Sequence, residues 1–265
     1  MSWGPFDLTG RSAVVTGAAM GIGFGIASRF REAGADVVIA DIDATAADRA
    51  IERLGEIAGA GRMIAVRADV SDPASGKAAI TAAVDNFGRV DILVNNAGIY
   101  PFSMLADLTP ELITRILSVN VAGVMLMTQA AAAVMSTSGG GVVVNIASMD
   151  AMHPSFPGLS TYGASKGAVV AMTKHHALEL APYKIRVNAI APGGIWTEGA
   201  AASSAGGGLS EEERGAIEVA MIAKTPLGRF GTPDDIAKVA LFLASSAADY
   251  MTGETVLVDG GVLLS

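Results

Sequence analysis

Apolar and polar positions alternate between two periods along this chain, and the alternation repeats. Residues 12–16 (Ser-Ala-Val-Val-Thr) form a short β-branched run ending at a glycine cluster, and over 22–33 the apolar spacing becomes helical. Gly34 suits a left-handed helix end, and residues 36–40 and 62–67 read as second and third strands. Asp72-Pro73 opens a helix with an N-cap and a first-turn proline. A fourth strand over 91–94 runs into Asn95-Asn96-Ala97-Gly98, and Thr109-Pro110-Glu111 caps one long helix reaching Met135. Residues 141–147 are apolar almost throughout, as a parallel sheet buried on both faces requires. A helix over 161–181, a strand over 185–190, a capping box at Thr232-Pro233-Asp234-Asp235 and a last strand over 255–258 complete the series. Repeated βα units of this kind predict an α/β fold with a doubly wound parallel sheet and right-handed crossovers.

One stretch breaks the rhythm. Residues 197–210 are Ala, Gly and Ser almost throughout and lead into an acidic helical stretch over 211–223. In open α/β sheets ligands bind beyond the carboxyl ends of the strands. A segment emerging there after the sixth strand reads as a mobile substrate lid at about 196–225, the competing reading being a plain linker.

Composition narrows the partners. A formal charge of −8 and a pI near 4.9 argue against nucleic acid or an anionic membrane, since both demand a basic face. A small molecule fits better. The absence of cysteine removes disulfides and thiolate metal sites. The start, Met-Ser-Trp-Gly-Pro, lacks the pattern of a secretory signal, so the expected location is cytoplasmic. Residues 119–135 are strongly apolar but interrupted by Asn120, Thr128 and Gln129, which favours a buried or interface helix over a membrane span. Of the three histidines, His153, His175 and His176, the last two point about 100° apart on a helix and cannot both ligate one ion from one face; core or interface packing is the better reading, and no metal is expected.

Two features carry chemistry. The turn from Thr16 to Gly23 places Gly17, Gly21 and Gly23 around Met20 and Ile22, between a strand and a helix N-terminus. Glycines there let backbone N–H groups approach a pyrophosphate, and the helix end favours its charge. Asp41 ends the second strand about 18 to 20 residues on, where a carboxylate accepts from ribose hydroxyls and repels a 2′-phosphate. The expected cofactor is therefore NAD in preference to NADP. Tyr162 and Lys166 lie four apart on one helix face, so the ammonium can favour the phenolate and make the tyrosine an acid/base. A surface tyrosine above a lysine is the plain alternative.

Taken together, these residues resemble the short-chain dehydrogenase/reductase family: TGxxxGxG at Thr16 to Gly23, NNAG at Asn95 to Gly98, YxxxK at Tyr162 to Lys166, and PGxIxT at Pro192 to Thr197, in order over nearly the whole chain. The resemblance implies a Rossmann-like three-layer α/β/α unit, with residues 1–265 a single dinucleotide-binding and catalytic domain. It implies Tyr162 as general acid/base, Lys166 lowering its pKa, Ser148 bonding the substrate oxygen and Asn120 holding a water that links Lys166 to solvent. Asp69, Val70, Asn96, Ala97 and Gly98 would touch the adenosine side of the cofactor, with Ile195 and Thr197 at its nicotinamide end. Ser148 and Tyr162 stand fourteen apart, one more than is usual in the family. Met149, Met152 and Phe156 of that loop, with Tyr100, Phe102 and Trp196, suggest an apolar pocket or else core filler.

The expected activity is hydride transfer between a small secondary alcohol or ketone and the nicotinamide. Alternatives are a 3-oxoacyl-carrier-protein-type reductase and a non-catalytic dinucleotide sensor. Residues 130–141 contain no Lys or Arg to meet an acidic carrier, and the chain itself is acidic. The resemblance also implies a homo-oligomer, a tetramer, whose helical contact would cover the surface behind a mean hydropathy of +0.46.

Overall fold

The computed structural model describes residues 3–197 and 210–264, and in it the β-branched runs become seven strands. These are β1 (Ser12–Thr16), β2 (Asp36–Asp41), β3 (Met63–Arg67), β4 (Ile92–Asn95), β5 (Gly141–Ile146), β6 (Ile185–Pro192) and β7 (Thr255–Val258). All pair in parallel, in the order β3-β2-β1-β4-β5-β6-β7. The intervening helices are α1 (Gly21–Glu32), α2 (Ala44–Gly55), α3 (Pro73–Phe87), α4 (Pro110–Leu117), α5 (Gly123–Met135), α6 (Ser160–Leu180), α7 (Glu211–Lys224) and α8 (Pro233–Ala244). Helix α2 was not among the expected elements, although its small apolar residues recur at helical spacing. Asp43 starts it by accepting the Ala46 N–H at 2.9 Å, and Ala47, Ala50 and Leu54 bury its inner face.

Strand alternation sorts the core into two layers. Val15, Ile39 and Val144 turn toward Ile26, Phe30, Leu54 and Ile236 of α1, α2 and α8. Val14, Val38 and Val143 turn toward Ile80, Met127 and Met135 of α3 and α5. The result is a three-layer α/β/α Rossmann-like fold with both sheet faces covered. Strand order reverses between β1 and β4, and a crevice forms beyond their carboxyl ends at such a switch point.

The expected single helix ending at Met135 is interrupted. Ser118–Ala122 is a π-helical turn between α4 and α5. The wide turn is stabilised from outside: the Asn120 side chain accepts the Ile99 N–H at 2.8 Å and donates to the Ile99 carbonyl at 2.8 Å. Such turns concentrate at functional sites. The whole span, Pro110–Met135, has the length and apolarity of a membrane helix, but Met127, Ala131 and Met135 are buried against the sheet.

A chain of buried amides ties the central elements together. Asn95 on β4 donates to Thr128 of α5 at 3.0 Å and to its register partner Asn145 on β5 at 2.9 Å. Asn145 in turn donates to Thr173 of α6 at 2.9 Å. Removing one member leaves buried polar partners unpaired, at about 1–3 kcal/mol each. Helix α6, which carries Tyr162 and Lys166, is thereby fixed on β4 and on β5, which Ser148 follows by two residues.

Candidate active site

The glycine turn is built by close backbone approach. Gly17 has φ +62°, and a Cβ there would stand 2.9 Å from the Cα of Ala97; one on Gly23 would stand 2.3 Å from the Gly17 carbonyl. Asn96 supports the turn from β4, its amide donating to the Thr16 and Gly17 carbonyls at 2.9 Å each. The Thr16 hydroxyl accepts the N–H groups of Asn96 and Ala97 at 3.0 and 3.1 Å. Met20 caps α1 without a side-chain bond, so the first N–H groups of that helix, through Ile22 and Gly23, are left for an anion. Thr197 comes back over this turn: a Cβ on Gly21 would stand 3.4 Å from it.

Asp41 is half-buried at the end of β2, its two oxygens accepting the N–H groups of Ala19 at 3.0 Å and Asp43 at 3.1 Å. Asp69 accepts the Ser71 N–H and O–H at 2.9 and 2.6 Å, which holds its carboxyl below the usual range. Val70 is buried under the start of α5, where a Cβ on Gly123 would meet it at 2.8 Å. Ile195 forms an isolated parallel bridge with Gly231, and the Trp196 ring lies 6.2 Å from that of Phe230. The glycine turn, Asp41, the Asn96–Gly98 segment and Thr197 thus border one crevice.

The acid/base residues gather on its other wall. Lys166 is buried; its Nζ donates to the Ile146 carbonyl at 2.7 Å and lies 5.7 Å from the centre of the Tyr162 ring. A Cβ on Gly98 would stand 3.3 Å from Asn120 Oδ1 and 3.5 Å from Lys166 Nζ, which places those three residues together. Asn120 also donates to Ser165 at 3.0 Å, and Ser165 donates to the Tyr162 carbonyl at 2.6 Å. Ser148, at the end of β5, hydrogen-bonds the Tyr162 phenol, and the Tyr100 ring meets that of Tyr162 edge-on at 5.9 Å.

The electrostatics differ from the expected pattern. Burial pushes Lys166 down to about 8 and Tyr162 up to about 12. The Ser148 bond opposes the rise in Tyr162, while Asp150 and Tyr100 add to it. Desolvation of the phenol therefore outweighs the Ser148 bond, and the Lys166 ammonium is engaged by the Ile146 carbonyl. Tyr162 is poised as a proton donor. Lys166 remains charged at neutral pH, since about 8 lies above 7.

Asp150 is a site residue that motif reading missed, because no motif position names it. Ser165 was equally invisible, since its partners are Asn120 on another element and the Tyr162 carbonyl; Thr16 was named as a motif position, but its bonds to Asn96 and Ala97 were not. Among the described residues no group of three His, Cys, Asp or Glu side chains has the arrangement to hold a metal ion. Of the lid stretch at about 196–225, residues 198–209 lie outside the described residues. The helix that follows, α7, reaches back through Met221 to within 3.2 Å of where a Cβ on Gly194 would stand.

A family model described as enoyl-(acyl carrier protein) reductase matches residues 17–263. An uncharacterized oxidoreductase of Methylorubrum extorquens is 44% identical over 258 residues, covering 96% of this chain and 98% of that protein. The crystal structure of a short-chain type dehydrogenase/reductase from Mycobacterium marinum superposes with a TM-score of 0.89 at 36% identity, over 100% of both chains. A 7α-hydroxysteroid dehydrogenase solved with NADH and 7-oxoglycochenodeoxycholic acid matches with a TM-score of 0.88 at 36% identity, covering 97% of this chain and 96% of that one. The chain belongs to the short-chain dehydrogenase/reductase family, as an oxidoreductase of the alcohol dehydrogenase and ketoreductase type.

Proposed function

We propose that this protein transfers a hydride between a small secondary alcohol or its ketone and a nicotinamide dinucleotide, with NAD preferred over NADP. The observation that carries the reading is the meeting of Tyr162, Ser148 and buried Lys166 on one wall of the crevice whose other wall is the uncapped start of α1. Two observations support a dinucleotide there: the glycines of the turn leave no room for side chains, and Asp41 is bonded beside that turn by the Ala19 N–H, where a carboxylate would accept from ribose hydroxyls and repel a 2′-phosphate. When bound, that group supplies the redox chemistry. Gly17, Met20, Gly21, Ile22, Gly23, Asp41, Asp69, Val70, Asn96, Ala97, Gly98, Ile195 and Thr197 would hold it, together with Tyr162 and Lys166.

The protein's part is proton transfer and orientation. In reduction Tyr162 gives its phenolic proton to the carbonyl oxygen while Ser148 donates a hydrogen bond to the same atom, so charge on that oxygen is met by two donors. In oxidation the same phenol must first lose its proton, which makes the alcohol direction faster as pH rises. Lys166 supplies a fixed positive charge beneath the phenol. Asn120, with both ends of its amide engaged, ties the π-helical turn to the Ile99 backbone and to Ser165 of α6. We read residues 1–265 as one domain with the 196–225 segment as lid, cytoplasmic and assembling as a homotetramer.

An acyl-carrier substrate, which the description of the family model brings to mind, has less support here. The stretch 130–141 offers no Lys or Arg and the chain carries −8. Turnover of secondary alcohols with NAD and NADP, set beside acetoacetyl carrier protein with NADH, decides between them. The decisive variant is Tyr162→Phe. Turnover should fall by about a hundredfold or more while NADH affinity, read by fluorescence, stays within about threefold. Unchanged turnover would refute the mechanism, and an unchanged wild-type function without any turnover would favour a sensor.

A further inference from the structure

Asp150 belongs to none of the motifs above, yet it holds Ser148 from two directions. Its N–H donates to Ser148 Oγ at 3.1 Å, and that hydroxyl donates to Asp150 Oδ2 at 3.2 Å. Its other oxygen, Oδ1, accepts both the N–H and the O–H of Ser155, at 3.0 and 2.7 Å. Its carbonyl rests on the first turn of α6, where a Cβ on Gly163 would stand 3.1 Å from it. The same residue borders a cavity of about 320 Å³ with Met152, His153, Phe156 and Leu159. One residue therefore joins a reacting hydroxyl, the loop beside it and the helix that carries the phenol.

This bonding commits the Ser148 proton. A hydroxyl has one proton and two lone pairs; here the proton goes to Asp150 and one lone pair takes the Asp150 N–H. To donate to a substrate oxygen, Ser148 must turn its proton away from Asp150. The exchange swaps one acceptor for another, and the carboxylate keeps both bonds from Ser155. Meanwhile its charge stays in place. Facing the phenol are Lys166 one turn along α6, Tyr100 from the loop after β4, and Asp150 from the loop after β5; the other polar neighbours, Ser148 and, through the π-helical turn, Asn120, are neutral.

Resting on the alcohol–ketone reading above, we propose that Asp150 is a positioning residue of this reaction: it fixes the rotamer of Ser148, releases the Ser148 proton to the substrate oxygen, and stands as a fixed negative charge beside Tyr162. A carboxylate beside a phenol disfavours the phenolate. The acid limb of the oxidation profile, set by loss of the Tyr162 proton, therefore lies at higher pH with Asp150 than without it. The negative neighbour thus favours the proton-donating form that reduction needs.

The test is the pH profile of kcat/KM for oxidation of a secondary alcohol in the wild type, Asp150→Asn, Asp150→Glu and Ser155→Ala. Asp150→Asn should move the acid limb to lower pH by about half a unit or more and reduce kcat about tenfold. Asp150→Glu keeps the charge but displaces it, and should hold the limb within about 0.2 unit while kcat falls. Ser155→Ala cuts only the loop bond and should leave the limb in place. A limb that ignores Asp150→Asn, or moves equally in the Asn and Glu variants, overturns the proposal. Should Asp150→Asn fail to fold, by thermal melt, Asp150→Ser removes the same charge and carries the same expectation. A wild type that oxidises no secondary alcohol sinks the activity itself, whereas an active wild type with an unmoved limb sinks only the role of Asp150.

Discussion

The glycine turn after β1 and the loop after β5 stand on opposite walls of one crevice and are made rigid by opposite means. In the turn, backbone touches backbone: Gly17 and Gly23 sit where any Cβ would come within 2.9 Å and 2.3 Å of main-chain atoms. In the loop, side chains do the holding, with Asp150 fastened to Ser148 and Ser155 across five residues. Backbone contact admits one residue type, so the turn announces itself in any chain. Side-chain contact admits many solutions, so the loop is free to vary in length and content while Ser148 stays in place.

The sharpest way to break this contrast is Gly23→Ala. The new methyl would stand 2.3 Å from the Gly17 carbonyl and 2.5 Å from the Asn96 amide that supports the turn, and neither is the loose end of a flexible side chain. We expect a loss of about 3 kcal/mol or more, a melting temperature lower by on the order of 10 °C, and NADH affinity reduced by about a hundredfold or more. Differential scanning fluorimetry and NADH fluorescence titration read both. An alanine that binds as tightly as the wild type would show that the turn has slack that its geometry denies.

The same contrast explains what could be read from the chain. All seven strands were legible, because sheet burial on both faces writes itself as β-branched runs, and so were the glycine turn, Asp41 and the Tyr162–Lys166 spacing. The π-helical turn was not. It depends on Asn120 meeting the main chain of Ile99, twenty-one residues earlier, and periodicity alone continues the helix through it. The amide chain was equally hidden: Asn145 looks like one polar residue in an apolar strand until Asn95 and Thr173 arrive from 50 and 28 residues away. Asp150 was passed over for a third reason. A short-range carboxylate in a loop looks the same in sequence whether it caps a turn or holds a reacting hydroxyl.

Lys166 stands where the two walls meet and offers a middle-sized effect. Burial lowers it from 10.5 to about 8, so the folded state resists a charge that the unfolded chain carries freely. Between those values the unfolded state binds more protons, and stability rises with pH by up to about 3 kcal/mol from this group. Tyr162 acts in the opposite sense and later: raised from 10.0 to about 12, it gives up stability as pH climbs through that higher window. Lys166→Met should flatten the rise between pH 8 and 10.5. At pH 7 it should raise the melting temperature by a few degrees, since relief of the buried charge is partly offset by about 1–3 kcal/mol for leaving the Ile146 carbonyl unpaired. Turnover would be lost all the same. A variant less stable than the wild type at pH 7 would mean that the ammonium holds the two walls together more than its burial strains them.

The smallest effect comes from repeating the first substitution on the other wall. Gly163 lies in the first turn of α6, and a Cβ there would stand 3.1 Å from the carbonyl of Asp150, with no closer contact. Alanine gains about 1 kcal/mol of helix propensity over glycine, and the tight contact takes part of it back. Because the opposing carbonyl belongs to a loop held by side chains, it can retreat by the few tenths of an ångström required. The melting temperature of Gly163→Ala should therefore stay within about 2 °C of the wild type. The retreat is not free for chemistry, since the carbonyl that moves is on the residue that clamps Ser148. A fall of about threefold to tenfold in kcat/KM with NADH affinity unchanged is the expected signature. Loss of stability on the scale of Gly23→Ala would show instead that the loop after β5 is as unyielding as the glycine turn, and the distinction between backbone-held and side-chain-held walls would fall.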